Sequence, residues 1–423
     1  MKTIHVFTSA ACNYIPKVRV LVESIRKWHP EWRVHLALSD DLPDGIDVSG
    51  GLFDEIHPAR SLDIPDFQGW AFCHTIVEFS TAIKPYMLKK LLARDDCSGV
   101  VYLDPDTVVF SRLDDMLAGL EVGNIAITPH QTVPESRLSA IMDNEICSLK
   151  HGIYNLGFIA VRPTSIGKEF ADWWAERIYY FCRAEISNGL FTDQRWIDLV
   201  PAFFEGVCIL RSSRLNVSTW NLTTRNVTGI VPHNVKVDGE ALGFYHFSGF
   251  DSGAIQVMTM KNAGGNKTVE ALLAWYTDRT SGSDNDPLSV IPWNYGRFSD
   301  GSVIDPVSRL VYRQRLDLQH AFRDPFSTMN GGYKMWWETR GPIEFKKLFS
   351  EADKIEEIAR IRNVLTPGYQ AGRSVESVNL TLLFNHIGKA VIDSGHRKVV
   401  ARRAWEILRT EGFPGIKQRL SRS

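Results

Sequence analysis

Short apolar runs alternate with segments of helical period through the first part of this chain, and that alternation restricts it to an α/β layer structure around a largely parallel sheet. The runs are Ile4 to Thr8, Arg33 to Leu38, Gly99 to Leu103, Asn124 to Thr128 and Tyr154 to Val161. Between the first two, Pro16 opens a helix whose apolar positions Val18, Leu21, Val22, Ile25 and Trp28 recur at helical spacing, and His29-Pro30 ends it. Thr75 to Ala93 also reads as helical. Pro85 lies inside it, so it is either one kinked helix or two helices meeting at Lys84-Pro85. A further helix is expected over Lys168 to Phe181.

The rest of the composition narrows the class. Lys and Arg total 48 and Asp and Glu 49 in 423 residues, a formal charge of −1 that suggests neither a nucleic-acid binder nor an acidic disordered chain. Six cysteines stand singly with no C-x-x-C pair, the pattern of reduced thiols in a cytoplasmic protein. The first residues lack the apolar run of a secretion signal and no stretch is long enough to span a membrane, so a cytoplasmic location is expected and the Asn-x-Ser/Thr sequons carry no weight. Most of the 12 Trp, 12 Tyr and 22 Phe are expected in the core.

The segment that carries chemistry is Val100-Val101-Tyr102-Leu103-Asp104-Pro105-Asp106-Thr107. Carboxylates two residues apart at the end of an extended run project to the same side, because strand side chains repeat every second residue. The proline between them fixes its own φ and keeps Asp104 extended. Two like charges at the end of a buried strand repel, and a hard divalent cation, Mn²⁺ or Mg²⁺, is the natural answer. The bland alternative is a capping Asp beside a solvated one. Asp104-Pro-Asp106-Thr-Val108 also fits the Asp-x-Asp motif of haloacid-dehalogenase-like phosphatases. That motif belongs after a first strand, however, and the later paired acidic motif of that class is missing here.

Several separate segments over about residues 1 to 250 resemble the family-eight glycosyltransferases of the GT-A fold, the glycogenin and lipooligosaccharide galactosyltransferase group, and bacterial polysaccharide glycosyltransferases of that fold. The resemblance is carried by Asp104-Pro-Asp106, Tyr154-Asn155-Leu156-Gly157, Thr192-Asp193-Gln194-Arg195 and His246-Phe247-Ser248-Gly249. It implies a mostly parallel central sheet flanked by helices. It also implies an enzyme that moves a sugar from a nucleotide-diphosphosugar, a UDP-sugar above all, to a glycan or lipid-linked glycan in surface polysaccharide synthesis, with retention of configuration. In that reading Asp104, Asp106 and His246 hold Mn²⁺ or Mg²⁺. His5, Phe7, Thr8, Ser9, Ala10 and Asn13 receive the nucleotide, and Lys84 contacts the donor. Asn155 meets donor sugar hydroxyls, with Asp193 and Gln194 on the reacting face. Gly249 belongs to the phosphate-binding turn. The family's following lysine is missing, since Asp251-Ser252-Gly253 stands there and the first lysine is Lys261. An inert glycan- or nucleotide-binding protein of the same fold is a further alternative.

Residues 277–290, polar and turn-forming, are expected to link a catalytic domain over 1–276 to a mostly helical extension over 291–396, which is a flap over the site or a layer packed on the sheet. The end, 397–423, carries eight Lys and Arg against two Glu, a net +6 that leaves −7 on the remainder. A basic amphipathic helix of this kind lies on an anionic membrane surface or is a solvated face, and both readings stay open.

Overall fold

A computed structural model describes residues 2–43, 45, 47–329 and 331–363. The part of the expected helical extension beyond residue 363 and the basic tail 397–423 lie outside the described residues. The strands, in chain order, are Thr3–Ala10 (β1), Arg33–Leu38 (β2), Glu55–Pro58 (β3), Cys97–Leu103 (β4), Thr107–Val109 (β5), Ile125–Pro129 (β6) and Tyr154–Val161 (β7). They continue as Arg183–Glu185 (β8), Leu190–Thr192 (β9), Val207–Ile209 (β10), Val227–Ile230 (β11), Asn234–Val237 (β12), Glu240–Ala241 (β13) and Phe244–His246 (β14).

Seven of them form the central sheet in the order β10-β6-β7-β4-β1-β2-β3. All neighbours pair in parallel except β7, which runs antiparallel to both β4 and β6. The expected α/β architecture with a mostly parallel sheet is therefore present. Its strands read as continuous apolar runs because both faces are covered. Val6, Val101, Leu103 and Ala160 pack on the face of the helix Ile15–Trp28, while Phe7, Tyr102 and Ile159 pack on the face of the helices Ile76–Ala82, Lys84–Leu92 and Ser165–Phe181.

Of the two readings of 75–93, two helices prevail. Thr75 caps the first in a reciprocal box with Glu78, an arrangement worth about 1 kcal/mol. The second starts at Lys84, and Pro85 occupies its first turn, where a missing N–H costs nothing. This break matters for the site, because it delivers Lys84 at a helix start rather than on an outer face.

A second, short ladder completes the framework. β5 follows β4 after the Asp-Pro-Asp turn and pairs antiparallel with β14, Thr107 opposite His246. Pairing across more than a hundred residues of sequence thus brings His246 to the turn.

The chain divides into two compact units, but not at the polar stretch 277–290. Among the described residues, one unit comprises those up to 309 with 323–335, the other 310–322 with 336–363. The helix Lys267–Thr280 runs into the expected linker, and residues beyond it return to the first unit. Trp293 Nε1 donates to Ser39 O at 2.8 Å, the Asn294 backbone N–H to Asp40 at 2.8 Å and the Tyr295 hydroxyl to Asp41 at 3.0 Å. Residues 291–305 hold one 3₁₀ turn, Asn294–Gly296, and are otherwise irregular, not helical as expected, because aromatic anchors and not an amphipathic period fix them. In the second unit the described helices are short. There the buried guanidinium of Arg315 reaches Glu344 at 3.1 Å, and Trp337 meets Phe349 with ring centres 5.1 Å apart. Among the described residues no helix is long and apolar enough to cross a membrane.

Candidate metal and sugar-nucleotide site

The parallel strands β1 and β4 end at the same edge, the usual location of ligand sites in open α/β sheets. Asp104 leaves β4 there with its backbone N–H bonded to Gly157 O at 2.9 Å. Asp106 O accepts from Phe247 N at 2.9 Å, which fixes the turn against the residue after β14. His246 Nε2 then lies 3.1 Å from Asp106 Oδ1 and 3.7 Å from Asp104 Oδ2. One donor atom from each of the three falls within 4.8 Å of the others.

The other face of His246 determines what Nε2 can be. Asn155 Oδ1 accepts from the Gly157 backbone N–H at 3.0 Å, so that atom is the amide oxygen, and His246 Nδ1 lies 3.1 Å from it. An acceptor at Nδ1 requires a proton on Nδ1. A neutral imidazole would therefore turn the lone pair of Nε2 toward two carboxylates, an arrangement that needs a cation between them or a second proton on the ring. Burial pushes the His246 pKa down, but Asp106 and then Asp104 outweigh it and hold it above its ordinary value. The donor set suits a divalent cation.

Charge around the cluster points the same way. Lys84 Nζ lies 3.2 Å from Asp104 Oδ1 and 3.3 Å from Asp193 Oδ2, and 4.3 Å from the centre of the Tyr102 ring. The Tyr102 hydroxyl donates to the same Asp104 Oδ1. Burial opposes the Lys84 charge, yet Asp104 and Asp193 raise its pKa and keep it an ammonium. Burial pulls the Asp193 carboxyl up, with Lys84 opposing. One fixed ammonium thus faces two carboxylates, and the cluster holds a third, Asp106. With Asp104 Oδ1 occupied by Lys84 and Tyr102, its Oδ2 is left to face Asp106 and His246, and the residual negative charge is the kind that a bound cation offsets.

The remaining expected residues sort by what their polar atoms touch. Asn155 is fully employed: Oδ1 accepts from Gly157, Asn216 and His246, and Nδ2 lies 3.1 Å from Gln194 Oε1 and 3.2 Å from His130 Nε2. Gln194 is likewise occupied, Oε1 by Asn155 and the Leu156 N–H, Nε2 by His151 O. Both stand behind His246 as positioning groups, not as groups presented to a sugar. Asp193 is buried, its Oδ2 3.3 Å from Lys84 Nζ and its Oδ1 accepting from the Thr192 hydroxyl at 3.2 Å. Gly157 is required: a Cβ there would lie 2.6 Å from Asn155 Oδ1 and collide with the His246 ring.

At the β1 edge Phe7 packs against Tyr102 with ring centres 5.0 Å apart, the Thr8 hydroxyl is buried without a partner, and the Ser9 hydroxyl donates to Ser80 O at 2.6 Å. Ala10 is buried and Asn13 is exposed in the following 3₁₀ turn. His5, by contrast, sits near the opposite end of β1 and bonds to His35, away from this edge. Gly249 has a positive φ of 78°, suited to glycine. Lys261 is spent on Asp143. Lys17, on the first helix, pairs with Asp251. Sequence reasoning missed Tyr102, His130 and Asn216. Tyr102 had a readable signal, two residues before Asp104 on the same strand face, but the other two are brought in by chain folding alone.

No protein-family model matches the chain. The uncharacterised protein YfnD of Bacillus subtilis (strain 168) is 24% identical over 257 residues, 59% of this chain and 79% of that protein. A second protein of the same organism, YfnF, is 27% identical over 181 residues, 41% and 57% of the two chains. Among solved structures, the galactosyltransferase LgtC, crystallised with donor and acceptor sugar analogs, matches at 16% identity over 69% of this chain and 98% of its own, with a TM-score of 0.37. Similarity at these levels assigns neither activity nor substrate.

Proposed function

We propose that this chain is a metal-dependent glycosyltransferase using a nucleotide-diphosphosugar, with a UDP-sugar as donor and a glycan or lipid-linked glycan as acceptor, acting with retention in bacterial surface polysaccharide synthesis. The observation that carries the reading is the convergence of Asp104, Asp106 and His246, with Nε2 aimed at the two carboxylates. Mn²⁺ or Mg²⁺ held there would supply Lewis-acid stabilisation of a departing nucleoside diphosphate. The sequence likeness to family-eight transferases supports the same class.

The residues around the cluster have separable tasks. Asn155 and Gln194 fix the tautomer and angle of His246. Tyr102 and Lys84 hold Asp104, and Lys84 opposes the burial that raises the Asp193 pKa. Asp193, buried with its Oδ2 held by Lys84, is taken as the carboxylate of the reacting face. Phe7 to Ala10 and Asn13 line the strand end where a nucleotide would rest, with Gly249 on the phosphate side. We place the activity in the unit 1–309 and 323–335, in the cytoplasm.

The phosphatase reading fits less well, because the Asp-x-Asp turn follows the fourth strand and an imidazole, not a further acidic pair, faces it. A thermal-shift screen of nucleotide-sugars with and without Mn²⁺ tests the proposal. Stabilisation by a nucleotide-sugar that needs Mn²⁺ and disappears in Asp106→Ala is expected. Full transfer activity in Asp104→Ala or Asp106→Ala would reject it, as would turnover of simple phosphate esters with no nucleotide-sugar binding.

A further inference from the structure

A second cluster of titratable groups lies on the same sheet, toward the other end of its strands, and the activity proposed above uses none of it. His5 of β1, His35 of β2 and His57 of β3 form a buried row across three neighbouring strands. His5 Nδ1 and His35 Nε2 are 2.8 Å apart, and His35 Nδ1 and His57 Nε2 are 3.3 Å apart. The row ends on carboxylates: His5 Nε2 lies 3.3 Å from Asp96, and His57 Nε2 lies 3.4 Å from Glu55 Oε2. Parallel pairing sets His35 opposite Glu55, and the two-residue repeat of β3 puts Glu55 and His57 on one face.

The spacings are those of a coordination polyhedron. A tetrahedral zinc with bonds of 2.0–2.1 Å separates its ligand atoms by about 3.3–3.4 Å. His35 Nδ1 to His57 Nε2 and His57 Nε2 to Glu55 Oε2 measure 3.3 and 3.4 Å, and donor atoms of all three residues fall within 4.8 Å of one another. Two imidazoles and a carboxylate are a donor set that zinc takes, with water in the fourth position. Burial and the neighbouring rings push His35 down to about 3, and burial lowers His57.

The outer contacts fit as well. A metal-bound histidine usually donates its second N–H to an oriented acceptor. With Nδ1 as ligand, His35 would donate from Nε2 to His5 Nδ1, and His5 Nε2 lies 3.3 Å from Asp96. Glu55 is the half-exposed member and gives an ion access from solvent. Its present partner is Arg94, at 3.0 Å, which also holds Asp96 at 3.0 Å and can keep that contact on releasing Glu55.

We propose that His35, Glu55 and His57 form a structural Zn²⁺ site that staples the edge strand β3 to β2. Imidazole donors favour zinc over Mn²⁺ or Mg²⁺, so the two clusters of this protein would separate cations by chemistry. The inference stands apart from the reading of Asp104, Asp106 and His246 and can fail without it.

The test uses the full chain stripped with chelator, in an Asp104→Ala/Asp106→Ala background that silences the first cluster. After dialysis against Zn²⁺, metal analysis is expected to find one retained equivalent, and Co²⁺ in its place to give the strong visible bands of a tetrahedral site. Adding His57→Asn should remove the retained zinc and those bands with the circular dichroism unchanged. Should that variant fold poorly, Glu55→Gln, at a half-exposed position, should weaken zinc binding by at least tenfold. Absence of bound zinc in the Asp104→Ala/Asp106→Ala protein would overturn the proposal. So would undiminished binding in a folded His57→Asn or Glu55→Gln protein.

Discussion

At the C-terminal edge of the central strands, Asp104, Asp106 and Asp193 surround one imidazole and one ammonium. Toward the other end of the sheet, three imidazoles share two carboxylates and Arg94. Both are buried polar groups on an otherwise apolar sheet, and each resolves the cost of burial differently. In the first, opposing charges hold His246 and Lys84 above their usual pKa values, and net negative charge remains. In the second, burial lowers the ring pKa values and the rings contact one another in a row. Histidine on an inward strand face is thus not one kind of feature: its neighbours decide whether it behaves as a cation or a ligand.

The largest expected effect separates the two regions directly. Asp106→Ala should abolish Mn²⁺-dependent stabilisation by a nucleotide-sugar and lower transfer by more than 100-fold, beyond the roughly 10–100-fold that loss of an outer partner costs. Zinc content at the His35 cluster should stay as it was, and a parallel loss there would break the comparison.

Next comes Lys84→Met. It leaves Asp193 and Asp104 without their buried counter-charge, and a loss of about 3–5 kcal/mol in urea unfolding is expected. The double variant with Asp193→Asn should recover part of that loss, whereas a stabilised single variant would show that the ammonium is not compensating charge. A smaller effect is expected from Asn155→Leu or Gly157→Ala, which disturb only the orientation of His246. Each should weaken Mn²⁺ binding by roughly 10–100-fold while global stability falls less than in Lys84→Met. Titration calorimetry reads the first quantity and urea unfolding the second.

The smallest effect concerns pH. Burial, opposed by a bond to Ile153 O, lowers His130 to about 4, and its Nε2 faces the Asn155 amide. A folded-state pKa below the unfolded 6.5 contributes stability that is complete above pH 6.5 and lost as pH falls toward 4. At about 1.4 kcal/mol per unit this amounts to roughly 3 kcal/mol at most. Urea midpoints at pH 7.5 and 5 should differ less in His130→Gln than in the parent chain. An equal slope would remove His130 from the region's electrostatics.

Much of this was legible before any coordinates. The strand Cys97–Leu103 and its paired carboxylates could be read because periodicity and a proline are local signals, and the same holds for β1, β2, β7 and the helix Ile15–Trp28. The roles of Asn155 and Gln194 were not legible. Their residue types suit sugar recognition, but their amides are consumed by His246, Leu156 and His151, a fact set by pairing across tens of residues. The segment 291–305 misled for a related reason: aromatic anchors to Ser39, Asp40 and Asp41 fix it without any helical period.

By itself, then, the sequence determined the α/β layering and the two carboxylates at a strand end, since both follow from short-range patterns of polarity and backbone restriction. Only the tertiary structure decided that His246 reaches them through the β5–β14 ladder, that Asn155 fixes its tautomer, and that His5, His35 and His57 stand in one row. Those are contacts between distant segments. Strand register creates them, and no local property of the chain encodes it.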